Sequence, residues 1–168
     1  MLYFYGDFSL NLMIVFRGEY DCKIDAKGRF MLPVAFRRQL GEVDVYRFII
    51  KKDMYEKYLE LYTIEAWEHD YNRIANTINP YKLEHRQLLR GFSEGATEVE
   101  CDPTGRLLIP GRLLKQAEIT NEALLAGSKG KIEIWLPKLY YESIGDAETK
   151  RERFERIMGD FTYNTQLS

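Results

Sequence analysis

Short apolar runs of alternating, β-branched or aromatic character dominate the chain. The earlier ones fall near 15–24, 29–33, 45–52 and 57–62, the later ones near 96–101, 106–110, 122–128 and 131–135. Such runs predict strands. A different period begins at Ile64. Ile64, Trp67, Tyr71 and Ile74 recur at helical spacing behind Thr63, a residue suited to cap, and predict a helix over 64–76. Asn79-Pro80 ends it, since proline cannot continue a helix from within and biases its predecessor toward extended backbone. A second helix is expected over about 81–91 and another from near Pro137. A short charge-rich helix over 147–158 is expected to run into a frayed polar tail.

The two sets of strands are copies of each other. Asp25-Ala-Lys-Gly-Arg-Phe-Met-Leu-Pro33 matches Asp102-Pro-Thr-Gly-Arg-Leu-Leu-Ile-Pro110 at Asp, Gly, Arg and Pro, at an offset of 77 (102 − 25). Ala35-Phe-Arg-Arg-Gln-Leu40 and Arg112-Leu-Leu-Lys-Gln-Ala117 follow as short basic, amphipathic helices. Leu59-Glu-Leu-Tyr62 then matches Ile132-Glu-Ile-Trp135 at an offset of 73 (132 − 59). Each copy reads as strand, tight turn, strand, short helix, strand, turn, strand. A copy of this size buries little core alone. Two copies about a pseudo-two-fold axis make one shared, barrel-like core.

The turns carry the chemistry. Asp25-Ala-Lys-Gly28 and Asp102-Pro-Thr-Gly105 place Asp first and Gly fourth, as a type I turn asks. The Asp carboxylate accepts backbone N–H bonds, and Gly28 and Gly105 supply positive φ without steric cost. The next residue, Arg29 or Arg106, starts the returning strand of a three-residue hairpin. Turn chemistry does not require arginine there. A guanidinium beside a rigid tip is suited to taking guanine O6 and N7 together in a major groove. The alternative is that Arg29 and Arg106 bridge to Asp25 and Asp102, or to the partner copy, and only brace the fold.

Composition changes this picture little, and charge changes it locally. Lys plus Arg is 24 and Asp plus Glu is 26 in 168 residues, a net charge of −2, so nucleic-acid binding has no global electrostatic argument. Residues 13–52 nevertheless hold nine basic against five acidic residues, and residues 102–116 three against one. The positive charge is displaced toward the two turn-plus-helix blocks, which favours phosphate contact there.

At these residues the chain resembles the MraZ family, bacterial proteins encoded at the head of the division and cell-wall gene cluster. The resemblance runs from about Phe16-Arg-Gly to Tyr141-Glu142 and rests on the two Asp-x-x-Gly-Arg blocks, on Leu59-Glu-Leu-Tyr62 with Trp67, on Arg86-Gln-Leu-Leu-Arg-Gly91 and on Glu133-Ile-Trp135. It implies an α+β, mainly β fold: a double-psi, swapped-hairpin AbrB-like barrel built from two tandem SpoVT-AbrB repeats with connecting helices. It implies a DNA-binding transcriptional regulator, a repressor of its own promoter, that binds G-rich direct repeats as a ring-shaped homo-oligomer, an octamer or a dodecamer. The family's DNA contacts carry over onto Arg29 and Arg106, with Lys27 beside the first. The second copy has Thr104 where the first has Lys27, which implies a weaker phosphate grip. A ring repeats weak modules along one site, so linked contacts gain through effective concentration.

The expected divisions are an amino-terminal extension over 1–12, a first repeat over 13–62, linking helices over 63–92, a second repeat over 93–145 and a carboxy-terminal helix and tail over 146–168. Residues 1–12 are aromatic and carry only Asp7 as a charge. They lack the basic start and cleavage site of a secretory signal. Met13 reads as a second start, which leaves 1–12 as a variable extension or an added strand or arm. No run approaches the roughly 18 apolar residues of a membrane helix, and a cytoplasmic, nucleoid-associated chain is expected.

Two rival functions remain. His69 and His85 stand in no metal-ligand or nucleophile pattern, Cys22 and Cys101 are not at equivalent repeat positions and read as buried thiols, and turn capping accounts for Asp25 and Asp102. Neither catalysis, a metal nor a cofactor is expected. The second rival is an AbrB-like protein-interaction or antitoxin-type module, with helix 64–76 as its docking face; core or subunit packing is the competing reading of Trp67, Tyr71 and Ile74.

Overall fold

The structure is a computed structural model that describes residues 13–164, so the expected extension over 1–12 lies outside the described residues. The first copy forms β1 (Glu19–Lys23), β2 (Arg29–Met31), α1 (Val34–Leu40), β3 (Arg47–Lys52) and β4 (Tyr58–Thr63). Two helices follow, α2 (Ile64–Thr77) and α3 (Leu83–Ser93). The second copy forms β5 (Thr97–Glu100), β6 (Arg106–Leu108), α4 (Gly111–Gln116), β7 (Glu122–Gly127) and β8 (Lys131–Trp135).

Local chemistry sets the element ends. Pro33 and Pro110 precede α1 and α4 with φ of −51° and −54°, the value the pyrrolidine ring imposes. Thr63 Oγ1 accepts from the Ala66 amide at 3.1 Å and caps α2. The next helix starts two residues later than its sequence suggests. The Asn79 side chain takes the Tyr81 amide at 2.9 Å, and this turn holds the chain out of helix until Leu83.

Six strands form one antiparallel sheet in the order β1-β7-β8-β4-β3-β5, and β2 pairs with β6 as a separate two-stranded ribbon. Exchanging the two copies leaves this order unchanged. The first strand of each copy pairs with the third strand of the other, β1 with β7 and β5 with β3. Glu60 faces Glu133 across β4 and β8, and Phe30 faces Leu107 across β2 and β6, so the pseudo-two-fold passes through both pairs. The expected closed barrel is not found among the described residues: β1 and β5 each have one neighbour and end the sheet. The cause lies beyond the turns. The strands flanking each turn separate instead of pairing with each other, and β2 and β6 leave to pair together.

Phe30, Leu32, Leu107 and Ile109 turn inward from the ribbon side onto Phe48, Ile50, Leu59, Leu61, Leu125, Ile132 and Ile134 of the sheet, all buried in one cluster. Phe36 of α1 seals one end. It meets Phe16 edge-on at 5.6 Å and Tyr20 edge-on at 4.9 Å. Both copies supply this core, as expected of halves too small to fold separately.

Residues 137–168 group as a second unit. It holds α5 (Pro137–Ile144) and α6 (Ala147–Asn164). Gly145, at φ +76°, turns the chain between them, and Asp146 Oδ1 accepts from the Thr149 amide at 2.8 Å at the start of α6. The sequence suggested a helix ending near 158, but α6 continues to Asn164. No helix among the described residues is long and apolar enough to cross a membrane.

Candidate nucleic-acid interface

The two turns are built alike. Asp25 Oδ1 accepts from the amides of Lys27 and Arg29, both at 2.9 Å, while Oδ2 accepts from Arg29 Nε at 2.7 Å. Asp102 Oδ1 accepts from the amides of Thr104 and Arg106 at 2.9 Å and from the Thr104 hydroxyl at 2.6 Å. Its Oδ2 takes Arg106 Nε at 3.0 Å. Gly28 and Gly105 adopt φ of +85° and +93°, the left-handed backbone the sequence calls for. Hydrogen bonds hold both carboxyls below their ordinary range. For Asp25 the Arg29 amide is the largest cause, and for Asp102 the Thr104 hydroxyl is.

Each arginine therefore braces its own turn, and the bracing leaves part of it in water. The side chains of Arg29 and Arg106 are 36% and 42% exposed. Both are held to Asp through Nε, which directs the guanidinium without occupying its outer edge. Among the described residues no hydrogen-bond partner takes their terminal Nη nitrogens. The bridge to Asp that the sequence left open is present in both copies, and it leaves part of each arginine exposed.

The ribbon brings the two arginines together. Register places Arg29 opposite Leu108 and Arg106 opposite Met31, with Phe30 opposite Leu107 between them. Phe30 and Leu107 are buried, so alternation puts Arg29, Met31, Arg106 and Leu108 on the outward face. Arg29 and Arg106 are diagonal neighbours there, roughly 7–8 Å apart. Lys27 and Thr104 are exposed at the two tips.

Each tip is also locked to the other copy. The Gly28 carbonyl accepts from the Ile109 amide at 2.9 Å, and the Gly105 carbonyl accepts from the Leu32 amide at 2.8 Å. Beneath the tips the copies differ. A side-chain carbon built on Gly28 would meet Leu114 of α4, whereas one built on Gly105 would meet Arg37 of α1. Arg37 also donates to the Leu32 carbonyl at 3.2 Å. The first turn carries its extra cation at the tip, as Lys27; the second has Thr104 there and a guanidinium below. Arg37 stood in the sequence only as one charge of a basic helix. Its repeat counterpart, Leu114, was the available signal that the copies diverge here.

The other candidates are placed elsewhere. Trp67 stacks on Phe92 at 5.2 Å and meets Tyr62 edge-on at 5.6 Å, so it packs α2 against α3 and the sheet. Tyr71 lies tilted beside Trp67 at 6.1 Å. His85 Nδ1 accepts from the Asn79 amide at 2.9 Å, and His69 lies beside Asp70. Cys22 and Cys101 are free thiols, and burial pushes them up to about 12 and about 11, which suppresses thiolate chemistry.

A buried charge cluster at the pseudo-two-fold escaped the sequence. Lys51 and Glu60, 2% and 4% exposed, pair at 3.2 Å, and Lys131 and the Tyr62 hydroxyl also donate to Glu60. Lys51 Nζ lies over the Phe92 ring, 4.7 Å from its centre. Across the axis, Glu133 accepts from Trp135 Nε1 at 2.8 Å, but its neighbour on the adjoining strand is Ala126 where Glu60 has Lys51. Burial raises the Glu133 carboxyl.

Comparison with known proteins gives one answer. Residues 15–90 and 92–158 each match the family described as "MraZ protein, putative antitoxin-like". A protein of Christiangramia forsetii, named Transcriptional regulator MraZ, is 36% identical over 149 residues, 88% of this chain and 96% of that protein. Proteins of the same name from Cytophaga hutchinsonii and Bacteroides thetaiotaomicron are 35% and 32% identical over 125 and 148 residues. These alignments cover 74% and 88% of this chain, and 82% and 95% of the two proteins.

Proposed function

The chain belongs to the MraZ family, and from that membership and the two arginine-bearing turns we propose that it is a sequence-specific, DNA-binding transcriptional regulator. Its relatives' shared name, Transcriptional regulator MraZ, supports this reading. The observation that carries it is the placement of Arg29 and Arg106 as diagonal neighbours on the outward face of β2–β6. A two-stranded ribbon fits a major groove, and each guanidinium, oriented by its Asp, offers two donors to guanine O6 and N7. Each such pair discriminates by about 1–3 kcal/mol. Lys27, Thr104 and Arg37 face the phosphates.

The crossed pairing of the two copies supports a swapped-hairpin, AbrB-like arrangement of the repeats. One ribbon with two arginines binds weakly, so function requires several copies of this chain. A ring-shaped homo-oligomer, an octamer or dodecamer, sets their ribbons along G-rich direct repeats in the promoter of its own division and cell-wall gene cluster, which it represses. Binding of the purified chain to DNA from immediately upstream of its own gene, measured across a salt series, tests this. Retention that falls steeply with salt is expected. No retention at low salt would instead make the chain a protein-docking module.

A further inference from the structure

Arg29 and Arg106 take up half of the ribbon's outward face. The other half is Met31 and Leu108, 47% and 53% exposed. They are equivalent residues of the two copies, at the same offset of 77 (108 − 31) as the arginines. Met31 lies directly across from Arg106, and Leu108 directly across from Arg29. The face is therefore a checkerboard in which each guanidinium has an apolar side chain as its cross-strand neighbour. The core does not need them, since the inward face is filled by Phe30 and Leu107. A face made for water would carry short polar residues, and a face made for another sheet would not carry two half-exposed guanidiniums.

A surface that alternates a bidentate donor with an apolar group matches the floor of a major groove. Guanine there presents two acceptors, and the apolar feature is the 5-methyl group of thymine. Resting on the DNA-binding reading above, we infer that Met31 and Leu108 recognise thymine, packing on the 5-methyl groups of thymines beside the guanines taken by Arg29 and Arg106. Cross-strand neighbours are about 4.5–5.5 Å apart, and bases on one strand rise about 3.4 Å. The thymine thus lies one or two steps from each guanine. The two-fold relation of the checkerboard makes the ribbon read two such guanine–thymine neighbourhoods.

The test removes the methyl from the DNA and its partner from the protein. The fragment upstream of the chain's own gene is amplified twice, once with thymidine and once with deoxyuridine triphosphate, which deletes each 5-methyl and keeps every base-pairing edge. The wild-type chain binds the uracil fragment more weakly, by roughly threefold or more. The Met31→Ser/Leu108→Ser double variant binds both fragments alike, with unchanged circular dichroism and solution mass. Equal binding of both fragments by the wild-type chain overturns the inference and leaves the DNA-binding reading intact, as does a double variant that still discriminates. A double variant that loses its assembly makes these residues a subunit contact and also overturns it. Failure of the wild-type chain to bind either fragment overturns both readings.

Discussion

Arg37 of the first copy lies beneath Gly105 of the second: a side-chain carbon at Gly105 would stand 3.0 Å from the Arg37 guanidinium carbon. The equivalent place beneath Gly28 is held by Leu114. The pseudo-two-fold is broken where the second turn lacks a lysine, and the break returns positive charge to that turn. Arg37→Leu copies the residue of the other half into this site. It should fold normally, weaken DNA binding at all sequences alike and lower the slope of log affinity against log salt by about one. Titration at four salt concentrations checks this.

The two tip glycines should not tolerate substitution equally. Alanine at either meets left-handed backbone, a cost of roughly 1–2 kcal/mol. At Gly28 the added carbon would also lie 2.9 Å from the Ile109 carbonyl oxygen, a backbone atom fixed by the ribbon. At Gly105 it meets the far end of a flexible arginine. Gly28→Ala should therefore destabilise more than Gly105→Ala, as read by urea midpoints.

Acid should loosen the turns. Asp25 and Asp102 titrate below their ordinary value of 3.8 in the folded chain. A carboxyl with a depressed folded value contributes stability above its unfolded value and loses it as pH falls through the folded one. The wild-type chain should lose stability as pH falls below about 4. Asp25→Asn/Asp102→Asn should be less stable at neutral pH and show a shallower acid slope in thermal melts.

The two glutamates on the axis should respond in opposite ways. Glu60→Ala leaves Lys51 buried without its carboxylate, a loss of about 3–5 kcal/mol. Glu133 has a raised folded value, so its charge opposes folding at neutral pH, and this opposition disappears as pH falls through that value. Glu133→Gln keeps an acceptor for Trp135 and should raise the melting temperature at neutral pH, with the gain vanishing toward acid.

The turns were legible in the sequence because Asp25, Gly28 and Arg29 interact within five residues and recur at Asp102, Gly105 and Arg106. Strand positions were legible for the same local reason. The pairing of β1 with β7 was not: period-two alternation marks which face of a strand is buried and says nothing of its neighbour. The turn chemistry suggested that each turn closes a three-residue hairpin, whereas the flanking strands separate and pair with strands of the other copy. The late start of α3 followed from an Asn79 side chain competing with helix, a contact that spacing does not reveal. Lys51 stood in the sequence as one of the basic residues displaced toward the first turn and Glu60 only as part of a repeated strand; the structure instead buries them as a pair, with Phe92 of α3 beside Lys51. The joint face of Arg29 and Arg106 depended on β2 meeting β6, a contact between segments 77 residues apart (106 − 29).

In the proposed function Arg29 and Arg106 read base edges from one ribbon. Fluorescence anisotropy of labelled promoter DNA with Arg29→Ala and Arg106→Ala, alongside solution mass and circular dichroism, tests it most directly. Each variant should keep its fold and assembly and lose specific affinity by about 1–3 kcal/mol while retaining salt-sensitive non-specific binding. Variants that unfold or dissociate, with the remaining folded assembly binding as tightly as the wild-type chain, would show that the arginines serve only as braces and read no base.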